Sequence, residues 1–144
     1  DLPTVLQRAD FVSVHVPLNQ ETRHLFGRSE FAAMKPGAIF ANTARGGIVD
    51  ERALHEALVS GHLAGAAQDV FEQEPAPPNH PLLELDNLVL SPHVAGQSTE
   101  SMVRMSVGAA ENILRVLRGE QPSYLVNPEV LGDRSRVNWK NGNL

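Results

Sequence analysis

Three groups of ionisable side chains stand where a chain leaves an apolar run, the usual address of reactive groups in α/β proteins. Arg45 closes the segment Asn42-Thr43-Ala44-Arg45 and is followed by Gly46-Gly47. Two glycines let the backbone turn sharply and let another molecule come close. A planar, permanently charged fork there suits bidentate recognition of a carboxylate, although a surface arginine in a helix-entry loop would read the same. His93 follows Pro92, whose fixed φ stiffens the exit from the run Asn87–Ser91. An imidazole aimed by a stiff backbone can serve as general acid or base. The acidic group Asp69, Glu72 and Glu74 offers a carboxylate that would hold one imidazole tautomer and stabilise the imidazolium. The remaining histidines show no zinc-binding spacing, so no metal site is expected. G-x-G-x-x-G, P-loop and G-x-S-x-G patterns are likewise absent from the sequence.

Four apolar runs carry these groups. Residues 10–16 are rich in β-branched side chains and stop at Pro17. Residues 37–43 open at the Pro36-Gly37 turn signal. Residues 63–71 are thin in side chains, as where a neighbour presses close. Residues 87–91 run into Pro92-His93. Between the second and third runs, Asp50 can cap a helix whose Ala53, Leu54, Ala57 and Leu58 share one face, with Ser60-Gly61 as its stop. From Ser98 to Leu117, Met102, Met105, Ala109, Ile113 and Val116 recur at helical spacing up to Gly119, which predicts a well-buried helix. Alternating strands and helices predict an α/β fold with a parallel sheet whose short apolar strands are buried on both faces. Pro17, Arg45, Asp69 and His93 would then sit at the carboxyl ends of the strands, where open α/β sheets bind ligands. The polar stretch from Gly132 to Leu144, with Trp139 as its one large apolar anchor, reads as a mobile or partly docked terminus.

Composition narrows the function classes. The 144 residues are 42% hydrophobic and 20% charged, as in a soluble globular domain. A formal charge of -5 gives no electrostatic footprint for nucleic acid. No apolar run approaches the length of a membrane span, and no signal-peptide layout opens the chain. Cys is absent, which removes disulfides and fits a reducing compartment; the cytoplasm is the expected location.

Four stretches together resemble the carboxyl-terminal half of the D-isomer-specific 2-hydroxyacid dehydrogenases. They are His15–Leu25 (HVPLNQETRHL), Met34–Glu51 (MKPGAIFANTARGGIVDE), Gly61–Pro75 (GHLAGAAQDVFEQEP) and Asn87–Ser98 (NLVLSPHVAGQS). The resemblance runs from Asp1 to Leu131 and implies the second half of a Rossmann-like nucleotide-binding domain plus a long C-terminal helix. It divides the chain into a partial NAD(P)-binding domain, 1–118, and a C-terminal segment, 119–144, that returns toward a substrate domain or forms a tail. It assigns the substrate-binding arginine to Arg45, the histidine-orienting glutamate to Glu74 and the acid/base histidine to His93. Asp69 would face the nicotinamide carboxamide. Thr43, Ala44, Val94, Ala95 and Gly96 would line the nicotinamide end, Val16, Pro17 and Thr22 would lie nearer the adenosine, and Arg45 and His93 would count among the cofactor contacts as well. Gln68 departs from the apolar residue that relatives commonly carry.

The implied activity is hydride transfer between NAD(P)H and a small 2-oxo acid or D-2-hydroxy acid. NAD is the expected cofactor, with NADP left open, and a homodimer the expected assembly. Relatives carry the Gly-rich turn and the ribose-binding acid upstream of where this chain starts, so it reads as part of a longer enzyme. The competing readings are a non-catalytic nucleotide-binding or interaction module and an inactive truncated product; the three charged groups together favour the enzyme.

Overall fold

The computed structural model describes residues 1–129. The terminal stretch from Gly132 therefore lies outside the described residues. Two compact units divide the chain, Asp1–Ala95 and Gly96–Leu144.

The first unit is built on four parallel strands in the order β1-β2-β3-β4. They are β1 (Phe11–Val14), β2 (Ile39–Asn42), β3 (Gly65–Gln68) and β4 (Leu88–Leu90). Each lies inside one of the apolar runs and is shorter than it. Register pairs Val12 with Phe40, Phe40 with Ala66 and Ala66 with Leu88, so one row of side chains crosses the whole sheet. That row is buried and merges with residues of three helices, α1 (Leu2–Arg8), α2 (Arg28–Ala33) and α3 (Glu51–Val59). Phe26, Phe31 and Phe40 form its aromatic centre, with ring centroids 4.9 to 6.1 Å apart.

The helices start where local chemistry allows. Asp1 accepts the N–H of Thr4 ahead of α1, and Asp50 accepts those of Arg52 and Ala53 ahead of α3. The expected apolar face of α3, Ala53, Leu54, Ala57 and Leu58, is buried. Gly61 follows at φ +71, a left-handed conformation suited to glycine, and turns the chain toward β3.

Two expectations fail. The strands are buried on one face only: Phe11 is 73% and Val89 71% exposed, on the side opposite the core row. Short apolar runs cannot distinguish one-sided from two-sided burial, because Ser13, Ala41 and Ala67 are neutral on the question. In the second unit, α4 (Thr99–Leu117) is present with Ser98 as its cap, but none of its residues is buried. Helical spacing of Met102, Met105 and Ile113 specifies an apolar stripe that wants a partner surface; it does not supply one. Asn112 accepts the N–H of Ser123 at 2.9 Å and Arg115 Nε donates to the carbonyl of Gln121 at 2.7 Å, folding the chain back on α4.

Candidate active site

All four strands end on the same side, and Pro17, Arg45, Asp69 and His93 follow those ends by one to three residues. The exits are tied to one another. Asp69 donates its N–H to the carbonyl of Asn42 at 3.0 Å, and His93 donates its N–H to the carbonyl of Asp69 at 2.8 Å. The Asp69 side chain, 3% exposed, continues the same join. Its Oδ1 accepts the Ser91 hydroxyl at 2.5 Å and the Val94 N–H at 2.9 Å, and its Oδ2 accepts the Ala95 N–H at 2.9 Å. Residues 91–95 are thus wrapped around one carboxylate. That grip holds His93 at φ +57, a left-handed conformation costing a non-glycine residue on the order of 1–3 kcal/mol.

Held so, the His93 ring meets Glu74: Nδ1 and Oε2 are 2.8 Å apart. The other carboxylate oxygen of Glu74 accepts the Phe71 N–H at 3.0 Å, which anchors Glu74 to the exit of β3. The His93 ring, followed by the Phe71 N–H, holds the Glu74 carboxyl below its ordinary pKa. For Asp69, burial pushes the pKa up, but the Ser91 hydroxyl, the two N–H groups and the nearby His93 outweigh it, and the net shift is downward. Both acids are therefore built to be carboxylates. The pair borders a cavity of about 390 Å³ with Asp69, Phe71, Pro75 and Leu90 on its wall.

Arg45 is not among the residues on that wall. It lines a second cavity, of about 620 Å³, between the exits of β1 and β2, together with Val16, Pro17, Thr43 and Ala44. Its guanidinium donates to the Ala44 carbonyl at 2.6 Å. The buried Asn42 shapes the loop, accepting the Ala44 N–H and donating to the Arg45 carbonyl, each at 3.0 Å. What joins the two regions is Gly46. A Cβ on it would lie 1.9 Å from the carbonyl carbon of Phe71 and 2.4 Å from the N of Glu72, so the Arg45 loop is pressed backbone to backbone against the Glu74 loop.

Thr22 is committed to its own turn: its hydroxyl donates to the Pro17 carbonyl at 2.6 Å and accepts the Asn19 N–H at 2.8 Å. Val94 and Ala95 spend their N–H groups on Asp69, and Gly96 opens the second unit with open space around its α-carbon. Sequence reasoning missed Asn42 and Ser91 as shapers of the site. Asn before a turn, and Ser before Pro-His, were the available signals. The buried Gln68 donates its amide to Glu51 at 3.2 Å, but its Oε1 is buried with no hydrogen-bond partner, so only one end of this departure from an apolar residue is satisfied.

The cleft beside Arg45 is rimmed by main chain and short side chains at the carboxyl ends of parallel strands, which fits a nucleotide laid across them. Among the described residues no group of three or more His, Asp or Glu is arranged to hold a metal ion, and no helix is long and apolar enough to cross a membrane.

Residues 1–95 match the family described as D-isomer specific 2-hydroxyacid dehydrogenase, NAD binding domain. The chain is 54% identical over 131 residues to a glyoxylate reductase of Thermofilum pendens, covering 91% of this chain and 39% of that protein. It is 48% identical over 132 residues to glyoxylate/hydroxypyruvate reductase B of Citrobacter koseri, covering 92% and 41%. Among solved structures, a D-isomer specific 2-hydroxyacid dehydrogenase from Xanthobacter autotrophicus Py2, in complex with NADPH and MES, superposes with a TM-score of 0.76 at 41% identity, covering 90% of this chain and 52% of that one. The holo form of Rhodotorula graminis D-mandelate dehydrogenase gives 0.79 at 38%, covering 85% and 36%. The chain spans about two fifths of the length of the curated relatives it matches.

Proposed function

Because this chain belongs to the D-isomer specific 2-hydroxyacid dehydrogenase family through its NAD-binding domain, we propose that it forms part of an oxidoreductase moving a hydride between NAD(P)H and a small 2-oxo acid. The observation that carries the reading is the 2.8 Å contact between His93 Nδ1 and Glu74. A carboxylate on Nδ1 holds the ring with its hydrogen on that nitrogen, and in the proposed reaction Nε2 is the nitrogen that exchanges a proton with substrate.

Val16, Pro17, Thr43 and Ala44 would hold the dinucleotide along the larger cleft, with Thr22 bracing the turn below it. Asp69 and Val94–Gly96 would border the nicotinamide end. When bound, the reduced cofactor supplies the hydride. The chain's own residues do the rest. Arg45 clamps the substrate carboxylate with its fork and orients the 2-oxo group. His93 delivers its Nε2 proton to the carbonyl oxygen as negative charge develops there, and Glu74, at Nδ1, holds the ring in place for that transfer. In oxidation His93 takes the hydroxyl proton back.

Glyoxylate and hydroxypyruvate are the substrates of choice to test, since the similar reductases of T. pendens and C. koseri are named for them. The same reading takes residues 1–118 as part of the nucleotide-binding domain, 119–144 as the segment that leaves it, and the assembly as a homodimer in the cytoplasm, the dimer being testable by light scattering. The deciding experiment follows NADH absorbance with each 2-oxo acid. His93→Gln is expected to lose about 10²–10⁴-fold in turnover while dinucleotide binding persists. Near-normal turnover in that variant overturns the assignment.

A further inference from the structure

Across the Glu74 loop from His93 lies a second acid that proton transfer does not use. Glu51 is the first residue of α3, and its side chain is 12% exposed. Its Oε1 accepts the backbone N–H of Glu72 at 2.8 Å and the amide of Gln68 at 3.2 Å; its Oε2 is 3.0 Å from His80 Nε2. The tautomer of His80 follows from its other nitrogen. Leu82 donates its N–H to Nδ1 at 3.3 Å, so Nδ1 is an acceptor and Nε2 carries the hydrogen that goes to Glu51. The ring is further steadied edge-on to Phe71, with centroids 5.5 Å apart.

The three donors are spread along the chain in a telling way. Gln68 ends β3, Glu72 begins the loop after it, and His80 ends that loop at the entrance to the short 3-10 turn Pro81–Glu84. One carboxylate therefore closes both ends of residues 73–79, the stretch that includes Glu74. The start of α3 is a favourable seat for that negative charge, since the first turn of a helix presents unpaired N–H groups.

We propose that Glu51 is a positioning residue: by tying Glu72 and His80 to the start of α3, it fixes the loop so that Glu74 meets His93 Nδ1. The inference rests on the reading of His93 as the proton donor that Glu74 orients. Only a glutamate satisfies the arrangement. Glutamine turns one end of the side chain into a donor and so faces either the Glu72 N–H or the His80 Nε2–H with the wrong sign. Aspartate is one methylene shorter and cannot span both.

The test reads Glu74 directly, by carbon NMR of its carboxyl group through an acid titration of the 144-residue chain, in the wild type, Glu51→Gln and His80→Phe. With the loop released, the Glu74 midpoint rises toward the ordinary glutamate range in both variants and the His93 Nδ1–H signal broadens, while far-UV circular dichroism stays unchanged. His80→Phe keeps an aromatic ring against Phe71 and removes only one tie, so it decides the matter should Glu51→Gln fail to fold. A wild-type Glu74 midpoint in a folded His80→Phe protein overturns the proposal. In turnover, Glu51→Gln lowers kcat and leaves KM for the 2-oxo acid unchanged, the mark of a lost transition-state alignment. The two readings fail separately: a shifted Glu74 midpoint alongside normal turnover in His93→Gln supports the tie through Glu51 and sinks the dehydrogenase assignment.

Discussion

Asp69 holds His93 twice over, by its carbonyl, which accepts the His93 N–H at 2.8 Å, and by its carboxylate, which accepts the next two N–H groups at 2.9 Å each. A residue at the end of β3 thereby sets the backbone of a residue beyond β4. Replacing Asp69 with Asn keeps the size and turns one oxygen into an NH2 group, which opposes either the Val94 or the Ala95 N–H. A buried donor left unpaired costs about 1–3 kcal/mol. Asp69→Asn should lower the urea midpoint accordingly and speed amide hydrogen exchange at Val94 and Ala95. Wild-type protection at both amides would contradict the role given to this carboxylate.

Acid should loosen the same region. Asp69 and Glu74 both have folded-state pKa values below their ordinary ones. For such a group the stabilisation is fully present above the unfolded-state pKa and is lost as pH falls through the folded-state pKa. The loss therefore belongs below about pH 4, the ordinary carboxylate range. Removing one of the two acids by Glu74→Gln should make the fall in stability on the acid side shallower, while Oε1 of the glutamine can still accept the Phe71 N–H. Urea midpoints taken from pH 7 to pH 2 check this, and an acid limb as steep as the wild type's would refute it.

The parts of this architecture that local chemistry controls were legible before any coordinates. Strand cores followed from short apolar runs bounded by turn residues, and α3 from Asp50 and the spacing of Ala53, Leu54, Ala57 and Leu58. The pairing of His93 with Glu74 came from the resemblance and from a plausible acid cluster. Helices α1 and α2 were not legible, because seven and six residues are too few to display a period. The placing of Arg45 and of the His93–Glu74 pair on two different cavities was hidden as well, since it depends on how two loops abut at Gly46. Glu51 was invisible for a different reason: an acid in the first turn of a helix looks like ordinary dipole pairing until its three distant donors are seen.

Arg45 should be tested for binding, not for proton transfer. Its fork already gives one N–H to the Ala44 carbonyl, which fixes the plane of the guanidinium against its own loop. Lysine has a point charge and no plane, so it can attract a carboxylate without orienting it. A hydrogen bond to a charged group is worth about 1.5–3 kcal/mol, which corresponds to roughly a tenfold to hundredfold change in affinity. Arg45→Lys should raise KM for glyoxylate or hydroxypyruvate by that order and leave dinucleotide affinity near wild type. An unchanged KM would remove Arg45 from the substrate site.

Gly46 and Gly47 are adjacent and identical in type, yet they should respond differently to alanine. A Cβ at Gly46 would meet three backbone atoms of Phe71 and Glu72 at 1.9 to 2.4 Å, none of which can rotate away. At Gly47 the nearest atom is Cδ2 of Leu18 at 3.2 Å, the tip of a flexible side chain. Overpacking against rigid surroundings typically costs 1–3 kcal/mol or, as here with main chain on the far side, drives the two segments apart, by a penalty of about that size. Gly46→Ala should therefore lose stability in urea and also disturb the NMR signals of Glu74 and His93, because the loop it displaces carries Glu74. Gly47→Ala should leave those signals in place and cost less. If the two variants behave alike, the backbone contact between the Arg45 and Glu74 loops is not what aligns them.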